Sequence, residues 1–207
     1  MIQFSTSYLN LVHKLLAKYP QIIEVIREEK YKVSDTELSY RQITILDQSN
    51  LLKERRDKDN EWRSFNLNDL LYLHIISQSK HFKISHKRLN RFKDDFYKNT
   101  LDLVGVGKLY NSEIALIGLI SELVPLGILI FGDGESIFTD EPSIVFTQGY
   151  KDPNKRTFIF IMLYETYLET IKRLKTQDFT SRFDLSDFED DYQLVPNTRQ
   201  EQKILKA

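Results

Sequence analysis

"LSYRQITILDQSNLL", residues 38–52, and "EWRSFNLNDLL", residues 61–71, are the two stretches whose reading decides the fold. In the first, Ser39 is placed as an N-cap, its hydroxyl accepting from a free N–H of the opening turn. Gln42, three positions on, bonds back to the cap, and Leu38 with Ile43 has the spacing of a hydrophobic staple. This helix is expected to run to about Ser49, where Asn50, a residue that tolerates the left-handed conformation, stops it. The second stretch repeats the device. Asn66 caps, Asp69 bonds back with a charge that suits the helix dipole, and Phe65 pairs with Leu70. Between the two helices, a segment with apolar ends and a charged middle suits a short hairpin with its tip near Asp57 to Asn60.

Helical periodicity extends in both directions. Upstream, Leu9, Val12, Leu15 and Leu16 make one apolar stripe, and Ile22, Ile23 and Ile26 begin another after Pro20. Downstream, a helix restarts at Ser85 with Leu89, Phe92 and Phe96 on one face. Residues 110–123 read as a helix starting near Asn111 or Ser112. Residues 126–139 read as a hairpin turning at Gly132-Asp133-Gly134, and residues 143–147 as a further strand. Residues 156–176 are ambiguous at the front and helical at the rear, where Ile161, Tyr164, Leu168 and Ile171 repeat at three and four residues. That stripe suits a core face better than a dimer seam. The closing residues, 177–207, are polar and acidic and read as a flexible tail.

Composition bounds the class. At 207 residues and 41% hydrophobic the chain is large enough to bury one or two cores. No apolar run reaches the roughly 18 residues a membrane span needs, and the first residues lack the pattern of a secretory leader. With no cysteine, disulfides and thiolate metal sites are excluded, which fits a reducing cytoplasm. Charge is uneven: residues 1–100 hold 18 Lys and Arg against 13 Asp and Glu, and residues 101–207 hold 11 against 17. All 7 glycines lie at or after Gly105. Both shifts place an expected domain change near residues 99–110. The basic front half has the sign of charge that a nucleic acid attracts.

Taken in order, the capped helix ending in Asn50-Leu51-Leu52, then Arg56, then Trp62-Arg63-Ser64-Phe65, then Asp69-Leu70 resembles the MerR-type winged helix-turn-helix domain. The resemblance covers roughly residues 30–97. Asn50 stands where that family usually has a glycine, and no first helix matches upstream of Ser39. The resemblance implies an α+β chain in four parts. These are a helical extension over 1–30, a winged helix-turn-helix over 31–98, an α+β regulatory or dimerisation domain over 105–176, and the tail. It further implies a transcriptional regulator that binds double-stranded DNA as a homodimer, with a small-molecule or protein effector as candidate partner of the rear domain. An interaction module, or an architectural protein of the excisionase kind that keeps the winged fold, is the alternative.

The residues that would carry such binding follow from helix geometry and charge. Ile43 and Leu46 form the core face of the first capped helix, leaving Tyr40, Arg41, Thr44 and Gln48 on the other side as readers of base edges. Asp47 lies nearby and opposes phosphate. Trp62 and Phe65 would anchor the wing while Arg63 points outward to a phosphate, with Arg55 and Arg56 on the opposite strand. Lys83, Lys87, Arg88 and Arg91 form a second basic group within residues 80–93, which hold six Lys or Arg and no acid. Their place at a helix start favours phosphate. Enzymatic signals are thin. Gly105-Val106-Gly107-Lys108 lacks the flanking residues of a phosphate loop, and "GDGES" lacks the calcium-loop pattern. His74, His81 and His86 have no cysteine or suitably spaced carboxylate to complete a zinc site. No catalytic residue, metal or cofactor is therefore expected.

Overall fold

The computed structural model describes residues 2–53, 63–79, 82, 84–103, 107–120, 126–140 and 158–174. The hairpin tip, Arg55, Arg56, Trp62 and Lys83 lie outside these, as do the strand expected at 143–147 and the acidic tail. The order is β1 (Ile2–Gln3), α1 (Thr6–Lys18), α2 (Gln21–Arg27), a 3-10 turn (Val33–Asp35), α3 (Tyr40–Gln48), α4 (Leu67–Ser79) and α5 (His86–Phe96). There follow β2 (Asn99–Leu103), β3 (Gly107–Tyr110), α6 (Asn111–Ile120), β4 (Gly127–Phe131), β5 (Ser136–Thr139), β6 (Phe158–Met162) and α7 (Leu163–Leu174). Helices and sheet are mixed, an α+β arrangement. No described helix is long and apolar enough to cross a membrane.

The local signals act as expected. Gln42 N donates to Ser39 Oγ and Ser39 N to Gln42 Oε1, at 3.3 and 2.8 Å. Asp69 N donates to Asn66 Oδ1 and Asn66 N to Asp69 Oδ2, at 2.9 and 3.2 Å. Both staple pairs are buried. Asn50 takes φ +55°, so it ends α3 in the left-handed region without a glycine. The Gly132 to Gly134 turn closes β4 onto β5, with Gly134 at φ +92°.

The expected division near residues 99–110 does not appear. That segment forms the β2–β3 hairpin, and one hydrophobic cluster runs from Tyr8 to Tyr167 across both halves. A four-stranded sheet has the order β1-β5-β4-β6. Its first strand comes from the chain's start and pairs in parallel with β5, while the other pairings are antiparallel. Ser5 N donates to Asp140 Oδ1 at 2.9 Å, fastening the entry of α1 to the end of β5. Residues 1–30 are thus part of the common body rather than an extension. The ambiguous stretch resolves into β6 followed directly by α7, so Ile161 belongs to the strand and not to the helical stripe.

Two helices sit at the centre. Leu67 to Ile76 of α4 are all buried, as are all 10 residues of α6, the pattern of helices enclosed by neighbours. No α-helix stands between Arg27 and Tyr40; one 3-10 turn occupies that interval. Phe65, expected to anchor the wing, bridges to Tyr31. Phe65 N donates to Tyr31 O at 2.8 Å and Tyr31 N to Phe65 O at 3.0 Å.

Candidate nucleic-acid interface

α3 is held from below by its apolar flank. Ile43 and Leu46 are buried, and Leu51 closes the underside. Tyr40, Arg41, Thr44, Ile45 and Gln48 are exposed, Tyr40 by 57% and Ile45 by 45%. The structure therefore brings the expected readers onto one face and adds Ile45, which the sequence pattern had left unassigned. Arg41 pairs with no carboxylate among the described residues. Thr44 Oγ1 donates back to Tyr40 O at 3.0 Å, so its oxygen stays available as an acceptor.

The turn after α3 is pinned on two sides. Tyr72, buried in α4, donates its hydroxyl to Leu51 O at 2.8 Å. Burial, and then the charge of Asp94, push that hydroxyl's pKa well above the usual phenol range, so it remains a donor. From α5, Asn90 Nδ2 donates to Ser49 O at 3.4 Å and Lys93 Nζ donates to Asn50 O. Lys87 lies one turn before Asn90 on the same stripe of α5. Lys87 and Arg88 are exposed and have no carboxylate partner among the described residues. The middle of α5 is thereby joined to the turn that ends α3.

Arg63 corrects an expectation. Its guanidinium does not point outward to a phosphate: Nη1 lies 2.9 Å from Asp47 Oδ1 and Nη2 donates to Lys53 O at 3.3 Å. The side chain is 15% exposed. The cause is electrostatic. A part-buried guanidinium needs a charge partner and acceptors, and the Asp47 carboxylate on α3 supplies the first. The same pair neutralises the acid that would have repelled phosphate beside the readers. Arg91 is also engaged. It meets Glu135 at 2.7 Å and Asp133 at 3.5 Å in the β4–β5 turn, which packs closely enough that a Cβ on Gly134 would lie 2.8 Å from Arg88 Cα. Neither pairing could have been found by periodicity, since the partners lie 16 and 44 positions apart.

Removing Arg63 is therefore expected to act on stability. Arg63→Ala removes one donor from the Asp47 carboxylate and one from the Lys53 carbonyl, at a cost of about 1–3 kcal/mol. Urea denaturation should show this as a lower midpoint with an unchanged slope. An unchanged midpoint would refute the role.

His74, the other candidate ligand, is buried with Nε2 3.0 Å from Glu169 Oε2. His81 lies outside the described residues. Among the described residues, no group of three His, Asp or Glu is placed to hold a metal. In comparisons with known proteins, no family model matches the chain, and no curated protein or solved structure does so either.

Proposed function

We propose that this chain is a MerR-like regulator of transcription that binds duplex DNA, with α3 lying in the major groove and the start of α5 on the flanking backbone. One observation carries the reading. A short, doubly capped helix exposes Arg41, Thr44, Ile45 and Gln48 on one face, with its only acid taken up by Arg63. Arginine and glutamine donate bidentate hydrogen bonds to guanine and adenine edges, and an exposed aliphatic group packs on a thymine methyl. Lys87 and Arg88 supply charge for phosphate, as would Arg55 and Arg56 from the wing. The order of 3-10 turn, α3, Tyr31–Phe65 bridge and α4 supports a winged helix-turn-helix whose first helix is reduced to a single turn.

Arg41→Ala is the test. Bases bound by one side chain typically contribute about 1–3 kcal/mol of discrimination, so affinity for a selected site should fall roughly tenfold or more while affinity for scrambled duplex falls much less. With about three phosphate contacts per chain, log K against log salt should slope near −3. Equal losses on every sequence would remove Arg41 as a reader, and no duplex binding at about 50 mM salt would overturn the proposal.

A second reading rests on Tyr40 and Ile45. Two large apolar groups on one exposed face suit a protein partner as well as a groove. Under that reading Ile45→Ser abolishes complex formation in a protein-capture assay, and duplex affinity is absent from the start.

A further inference from the structure

A second site lies away from the exposed face of α3. An open groove of about 550 Å³ is bounded by the end of α2, the segment after α3, the cap of α4, the β2–β3 hairpin and the start of α6. This size is within the range of small-molecule sites, about 300–1,000 Å³. Its walls are polar, and the state of its charges decides what it takes.

Arg27 and Glu113 neutralise each other. Arg27 Nε and Nη2 meet the two Glu113 oxygens at 2.7 and 2.8 Å, and the second oxygen also accepts from Tyr110 N at 2.9 Å. Glu113 is 1% exposed and its charge is paired in bidentate fashion with Arg27, so it presents little negative field to the groove. Lys53 is different. Its ammonium sits 4.1 Å from the Tyr110 ring centre and 5.2 Å from that of Tyr97, and donates to Tyr110 Oη at 2.7 Å. These contacts fix the nitrogen's position without cancelling its charge, because a phenol and two ring faces carry no net charge. No carboxylate pairs with it among the described residues. Lys108 lines the same groove and is exposed; Asp102 is its cross-strand neighbour, but no ion pair joins Lys108 to a carboxylate among the described residues. Asn66 and Asn99 add amide groups. Glu29 is the other acid among the described lining residues, and it accepts from Ser64 Oγ at 3.3 Å.

Among the described residues, five charged side chains line the groove, three positive and two negative, and the Lys53 ammonium is held in place within it. We propose that this groove binds a small organic oxyanion, a carboxylate or a phosphate monoester, whose charged group meets Lys53 and Lys108 while its remaining polar atoms meet the Asn66 and Asn99 amides. The site uses residues other than the α3 readers, so it stands or falls apart from the DNA-binding reading. The two are nonetheless linked in the fold: the Lys53 carbonyl accepts from Arg63, the partner of Asp47 on α3.

The experiment is calorimetric titration of the full chain with inorganic phosphate and, separately, with citrate, in a low-salt zwitterionic buffer. At least one probe is expected to bind saturably at one site. Lys53→Met should weaken it about tenfold or more, the usual worth of a hydrogen bond to a charged group. Lys108→Met, at an exposed position, should weaken it less and leave the melting temperature unchanged. It decides the matter should Lys53→Met fail to fold. Phosphate and citrate together separate the two oxyanion sources, since a phosphate site prefers the first and a carboxylate site the second. Absence of saturable binding by either probe up to about 20 mM, far weaker than the millimolar end of useful affinity, would overturn the proposal. So would saturable binding that neither variant changes. If Lys53→Met lowers duplex affinity and no small anion binds, the groove belongs to the DNA backbone and the proposal falls.

Discussion

Gly118→Val should prevent the chain from folding. Gly118 lies within α6, where every residue is buried, and the Tyr8 ring from α1 crosses directly over it. A Cβ at this position would lie 2.3 Å from Tyr8 Oη and 2.5 Å from Cε2, far inside contact distance. The ring has nowhere to go. Tyr8 is 0% exposed, its hydroxyl donates to Ile114 O at 2.7 Å, and Phe4 packs on it at 4.4 Å between ring centres. Gly118→Ala gains about 1 kcal/mol of helix propensity, but overpacking costs about 1–3 kcal/mol and more for a clash this severe. Alanine should therefore lower stability on balance, and valine, with two further methyl groups, should leave the protein insoluble. A double-mutant cycle checks the cause: Tyr8→Leu combined with Gly118→Ala should cost less than the two changes summed. An alanine variant as stable as the parent would show that α1 and α6 do not meet in this way.

Phe96→Ala should lower the melting temperature of the whole molecule in one transition. Phe96 is 0% exposed at the end of α5, with ring centres 5.2 Å from Tyr72, 5.1 Å from Tyr97 and 5.7 Å from Phe138. It ties α4 and α5 to β5, and so the basic front of the chain to the sheet. Truncating a buried phenylalanine costs about 3–5 kcal/mol, which in a chain of this size shifts the midpoint by roughly 6–20 °C. Because one cluster spans both halves, calorimetry and circular dichroism should report the same shifted transition. Two separable transitions, with only the earlier one moved, would restore the division into independent domains.

That division illustrates how composition misleads. The rise in glycine after residue 105 and the change of charge sign are real, but they record a β2–β3 hairpin and a glycine-bearing sheet, not a linker. Burial does not follow such averages. α6 lies in the acidic half and packs on Tyr8 from the basic half. Of the expected site residues, Tyr40, Arg41 and Thr44 share an exposed face as helical spacing required, and Lys87 is exposed on α5, one turn before the Asn90 that donates to Ser49 O. Arg63 meets Asp47 rather than pointing outward to a phosphate, because alternation along a strand says which way a side chain leaves the backbone and not what waits for it.

By itself, the amino-acid order determined where α3 and α4 begin, that Asn50 ends the first of them, and which flank of α3 is apolar. Those features depend on groups three or four residues apart, whose meeting follows from helix geometry alone. Only the tertiary structure decided that Ile2–Gln3 joins β5, that Asp47 occupies Arg63, and that Lys53 stands over two tyrosines with its charge unspent. In each of these the partners are brought together by the shared core, and nothing in the local pattern of either residue encodes the other.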